Sequence, residues 1–185
     1  MKPTDVLKNE HVHIKEMLSI LNKILGKIGR GQNVPVEDLL NVLNFIKVFA
    51  DKCHHGKEEN ILFPAMEEAG IPRYSGPIGV MLIEHEEGRR YVKAMSEAVE
   101  EYKNGSLNAL EKFMENAGNY ISLLEQHIWK EDNILFNLAD ENISDRVKME
   151  LIEKFEEFEV KEIGEEHKKQ LKILQALKEK YYSSR

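Results

Sequence analysis

His54-His55-Gly56-Lys57-Glu58-Glu59-Asn60-Ile61-Leu62-Phe63 is answered later in the chain by His127-Ile128-Trp129-Lys130-Glu131-Asp132-Asn133-Ile134-Leu135-Phe136. Both stretches share the frame His-x-x-Lys-Glu-x-Asn-Ile-Leu-Phe, and each is preceded at a nearly equal distance by a Glu-His pair, Glu10-His11 and Glu84-His85. A repeat of this kind predicts two similar helical hairpins. Packed about a pseudo-twofold axis, they bring four histidines and two glutamates to one depth of a helical bundle.

Working outward, the pattern is helical throughout, with no alternation of period two. The first helix is expected after Pro3, with Thr4 as its N-cap. Its stripe is Leu7, His11, Ile14, Leu18, Leu21, Leu25 and Ile28, spaced for one buried face. Gly29–Asn33 breaks it, and a second helix from Pro35 presents Leu39, Leu43, Ile46, Ala50, His54 and Glu58. Gly70, Pro72, Gly76 and Pro77 form the next break. A third helix carries Met81, His85, Val92, Met95 and Val99, and a fourth carries Leu110, Ala117, Ile121, Leu124, His127, Glu131 and Leu135. After Ser144 a highly charged fifth helix is expected, with Gly164 bending it. The fold class is therefore all-α: an up-down antiparallel four-helix bundle over about residues 4–140 with one added C-terminal helix over about 144–182, all in a single domain.

The 185 residues are ample for one buried core. A net charge of −7 argues against a nucleic-acid footprint and against an anionic membrane surface. Cys53 is the only cysteine, so no internal disulfide forms and a reducing, cytoplasmic setting is expected. No apolar run approaches the roughly 20 residues of a membrane span, and the first residues lack the apolar core of a signal peptide.

The chemistry lies in the repeat. Residues four apart on a helix point within about 40° of each other, so the histidine and glutamate of each His-x-x-Lys-Glu face one point. Buried imidazoles need partners, and a buried carboxylate is unfavourable by several kcal/mol unless paired or coordinated. Metal ions between them satisfy the whole set. Imidazole with carboxylate suits iron, manganese or zinc, and carboxylates able to bridge favour two ions.

The pattern Glu-His…His-x-x-Lys-Glu…Glu-His…His-x-x-Lys-Glu resembles the hemerythrin-like (histidine–histidine–glutamate cation-binding) domain of bacteria and archaea. The resemblance implies an up-down bundle around an oxo-bridged pair of iron ions that binds oxygen or nitric oxide. It assigns His11, His54 with Glu58, His85, and His127 with Glu131 as metal ligands, the two glutamates bridging. Asp132 stands where the oxygen carriers have an aspartate ligand, and the repeat favours Glu131 over it. Those carriers have two histidines four apart in the third helix, whereas here the second place is Arg89, a cation that either repels metal or anchors an anion. His167, in the fifth helix, is the candidate to supply the missing imidazole. His13 is expected to face solvent, and so is His55, whose helical neighbours Asp51, Lys52 and Glu59 are polar.

The functional expectation is a non-haem di-iron protein, with zinc or manganese fitting the same ligands, that binds or senses oxygen, nitric oxide or peroxide. The alternative is a di-iron oxidoreductase or an iron donor in repair of nitrosative or oxidative damage. Glu58→Ala and His127→Ala are expected to lose bound iron while His13→Ala keeps it. Elemental analysis of the purified variants checks this, and wild-type iron content in both ligand variants would contradict it.

Overall fold

A computed structural model describes residues 1–183, which are all-helical with no strand among them. Six helices are found among the described residues. They are α1 (Pro3–Gly29), α2 (36–68), α3 (Pro77–Lys103), α4 (109–142), α5 (145–163) and α6 (Glu166–Tyr182). None is long and apolar enough to cross a membrane.

Two local expectations are corrected. Lys2 rather than Thr4 caps α1, and Asp5 closes the turn by accepting from the Lys2 backbone N–H at 2.8 Å. Thr4 lies inside the first turn, where its hydroxyl donates to Asp140 across the fold at 2.8 Å. The single C-terminal helix is in fact two. Gly164 adopts φ +60°, a left-handed conformation that breaks the helix outright rather than bending it.

The core is divided into two apolar zones. One gathers Ile14, Ala50, Val92, Leu124 and Ile128; the other gathers Leu7, Leu62, Met81 and Leu135. Along α1 the chain passes from Leu7 through His11 to Ile14, and along α3 from Met81 through His85 to Val92. The order reverses in α2 (Ala50, His54, Glu58, Leu62) and α4 (Leu124, His127, Glu131, Leu135). Every histidine and glutamate of the repeat thus lies in the polar layer between two apolar plugs, which keep water from both ends.

Wider, π-helical turns run through Ile46–His55, Glu58–Leu62 and Glu131–Leu135. Such turns inside α-helices gather at functional sites.

The last two helices cover the first hairpin. Helix α5 packs on α1 and α2, and α6 lies along both. Tyr181 donates its hydroxyl to Asp38 at 2.5 Å, and Lys178 pairs with Glu16 at 2.7 Å. Phe158 of α5 sits against Gly56, where an added Cβ would come within 2.7 Å of the ring, so only glycine admits this approach.

Candidate metal centre

Five imidazoles converge on the polar layer, not four. His11, His54, His85 and His127 are buried as expected, and His55 is buried with them. His55 stacks on His85 with ring centroids 3.8 Å apart, which corrects the expectation that it faces solvent. Asp51, one turn back on α2, accepts from the His55 Nδ1, so the polar neighbour holds the ring inside rather than marking a wet face.

Each imidazole is held from outside by one carboxylate accepting from its Nδ1. The pairs are His11–Asp132 (2.7 Å), His54–Glu10 (3.1 Å), His55–Asp51 (3.2 Å), His85–Glu59 (2.7 Å) and His127–Glu84 (3.0 Å). This fixes the ring and leaves Nε2 to point inward, the arrangement that metal-binding histidines adopt. Asp132 therefore orients His11 and does not stand among the inward-facing groups.

Glu58 and Glu131 lie inside the ring of imidazoles at 0% exposure. Glu58 turns Oε1 to His54 Nε2 (3.2 Å) and Oε2 to His85 Nε2 (3.3 Å). Glu131 turns Oε2 to His11 Nε2 (3.0 Å) and Oε1 to His127 Nε2 (2.9 Å). The donors fall into two groups, each with its ligand atoms within 4.8 Å of one another: His11, His54, Glu58 and Glu131, and His55, Glu58, His85 and His127. Glu58 is common to both groups, and Glu131, a member of the first, turns its other oxygen to His127 of the second.

These atoms lie close but do not line up as hydrogen bonds. His11 Nε2, His54 Nε2 and all four oxygens of Glu58 and Glu131 are buried with no hydrogen-bond partner. A buried polar group left unpaired is unfavourable by about 1–3 kcal/mol, more when charged. His85 Nε2 and His127 Nε2 face each other at 3.2 Å although both rings already bond a carboxylate through Nδ1. Cations placed between the groups relieve all of these atoms at once, so the donor set fits a pair of metal ions.

Electrostatics agree. Burial opposes the charge on His54, but the Glu58 and Glu10 carboxylates overcome it and hold the imidazole at about 10. His11, His85 and His127 are likewise raised against burial by the carboxylates around them. Burial and then the charge of Glu131 would raise Glu58, yet His54 and His85 hold it well below the usual carboxylate range. Glu131 is held low by His127 and His11 against its burial. His55 differs: burial and the neighbouring His85 push it down to about 4, so its ring is neutral at ordinary pH.

The lysine of each repeat now has a role. Lys57, 1% exposed, donates to Glu10 at 2.7 Å and to Glu159 of α5 at 2.8 Å, and Lys130 donates to Glu84. Arg89 does not enter the cluster. It donates to Asp51 and to Glu59, steadying the carboxylates behind His55 and His85. His167 is not brought to the centre either. It stands outside α2, with Nδ1 3.8 Å from Cys53 Sγ and 3.5 Å from Glu159, in a separate group with Glu10 whose donor atoms also lie within 4.8 Å of one another. The fifth imidazole is supplied by His55, adjacent in sequence to His54.

The family described as hemerythrin HHE cation binding domain matches residues 2–139. The chain belongs to that family of metal-binding proteins, whose members typically hold iron. It is similar to uncharacterized proteins of Mycobacterium bovis and of Mycobacterium tuberculosis, 24% identical over 163 residues, 88% of this chain and 63% of each relative. The chain thus spans less than two thirds of the length of the relatives it matches. No solved structure matches it.

Two outcomes test the site. Metal requires neutral imidazoles where the metal-free site carries protons, so metal uptake expels protons and apparent affinity rises with pH. In the metal-free chain the sign is opposite. The charged His54 stabilises the fold fully below the ordinary histidine range, and this contribution is lost as pH rises toward about 10. Calorimetry in buffers of different ionisation enthalpy counts the released protons, and a count of zero contradicts the assignment. Asp51→Asn removes the charge behind His55 and is expected to weaken metal binding by about 10–100-fold; an unchanged affinity would place His55 outside the ligand set.

Proposed function

We propose that the chain is a non-haem di-iron protein that binds or senses a small ligand such as oxygen, nitric oxide or peroxide. The observation that carries this reading is that Glu58 and Glu131, fully buried and without a hydrogen-bond partner, each turn their two oxygens to two different inward-facing imidazoles. Helices α1 to α4 are read as the up-down antiparallel bundle of the family, and α5 with α6 as an outer layer within the same domain. Zinc or manganese satisfies the same donors, but a bridged pair with mixed imidazole and carboxylate ligands suits iron. The lone, buried Cys53 fits a reducing, cytoplasmic setting.

Iron held by His11, His54, Glu58, His55, His85, His127 and Glu131 would supply the electrons and the binding of a small ligand. The chain supplies the rest. Ile14, Leu62, Met81 and Leu135 are buried above and below the polar layer. The outer carboxylates hold the imidazoles in place, and Lys57, Lys130 and Arg89 hold those carboxylates. The two groups differ in surroundings: His55, His85 and His127 border a cavity, whereas His11 and His54 do not. Small ligands are therefore expected to enter on the His55 side.

Anaerobic reconstitution with ferrous iron, followed by absorbance spectra on adding oxygen and then nitric oxide in separate samples, tests this. The expected result is uptake of two iron ions per chain and a new visible band with at least one of the two gases. Uptake of two ions with no spectral response to either gas would contradict ligand binding. Failure to take up iron would contradict the centre itself.

A further inference from the structure

Beside the centre, a cavity of about 320 Å³ runs between α2, α3 and α4. Pockets for small organic molecules fall at roughly 300–1,000 Å³, whereas a single water occupies about 30 Å³ in the liquid. A diatomic gas therefore needs only a small part of this space. The walls are apolar, with Ile46, Val92 and Leu124 buried along them. Gly88 contributes no side chain, and the Tyr120 ring lies across from it, 3.5 Å from where a Cβ would stand. Tyr120 lines the cavity, and its hydroxyl makes no hydrogen bond among the described residues. The inner end is formed by His55, His85 and His127.

The charged groups at the border are unequally occupied. Asp51 and Arg89 are paired together, and Glu84 is held by His127 and Lys130. Lys47 and Lys93, both exposed at the mouth, have no ion-pair partner among the described residues. Glu97 is the one carboxylate of the lining likewise without an ion-pair partner among the described residues, so unpartnered lysines outnumber unpartnered carboxylates there. Cations at the mouth of an apolar cleft draw in anions.

We propose that this cavity binds a small organic anion with an apolar body, a monocarboxylate of medium chain length, its head at Lys47 and Lys93 and its chain along Val92 and Leu124. The far end of the bound molecule then meets His55, His85 and His127. The significance of that position rests on the metal-centre reading above, but the binding itself does not. The site thereby gains an organic occupant in addition to a diatomic one.

Calorimetric titration of the full chain with octanoate, metal-free and iron-reconstituted, tests the proposal, with octylamine as the control of opposite charge. Octanoate is expected to bind at least tenfold more tightly than octylamine. The Lys47→Gln/Lys93→Gln variant, changed only at exposed positions, is expected to lose at least tenfold in octanoate affinity. Ser96→Phe, which fills the cavity from a partly exposed position, is expected to abolish binding while leaving metal content unchanged. Absence of octanoate binding, equal binding of octylamine, or unaltered affinity in Ser96→Phe would overturn the assignment. Octanoate binding by a chain that takes up no iron would uphold the cavity and sink only the metal centre; iron uptake without octanoate binding would do the reverse.

Discussion

Glu58 and Glu131 are two carboxylates buried to zero exposure, facing each other's imidazole partners and satisfied by none of them in hydrogen-bonding geometry. Each interior charge of this kind is tolerable only when an opposite charge shares the space. The surrounding structure can be understood as alternating layers built on that constraint. Around the two carboxylates stand five imidazoles, behind them five carboxylates, and behind four of those stand Lys57 at Glu10, Lys130 at Glu84 and Arg89 at both Asp51 and Glu59. Each layer fixes the orientation of the one inside it. The two apolar zones above and below keep the dielectric low enough for these interactions to matter.

The two hairpins build this arrangement by exchange. Glu59 of the first hairpin supports His85 of the second, and Asp132 of the second supports His11 of the first. Neither half supplies every carboxylate behind its own imidazoles, so the arrangement exists only when the two halves pack. Departures from the symmetry are equally informative. His55 stands where the second copy has Ile128, which gives one side of the centre an extra imidazole and a cavity. Gly56 stands where the second copy has Trp129. Glycine admits Phe158 and the covering helix α5, whereas Trp129 is 59% exposed on the uncovered side.

The helices, their breaks and the convergence of His11, His54, Glu58, His85, His127 and Glu131 were legible because a 3.6-residue period and a repeat both point the same way. His55 was not, since its neighbours Asp51, Lys52 and Glu59 are polar and its counterpart is an isoleucine. Those polar neighbours are in fact part of the explanation, because Asp51 is the carboxylate that holds the ring. A polar residue four positions before a histidine is thus a signal for a supported imidazole as well as for a wet face. His167 drew interest as a spare imidazole, but Gly164 begins a new helix rather than a bend, and its ring meets Cys53 and Glu159 outside α2.

Anomalous diffraction at the iron absorption edge, from crystals of the iron-reconstituted chain, tests the shared-carboxylate claim most directly. Two peaks are predicted in the polar layer, one among His11 and His54 and one among His55, His85 and His127, with Glu58 and Glu131 reaching both. A single peak, or iron held instead beside Cys53 and His167, would contradict it.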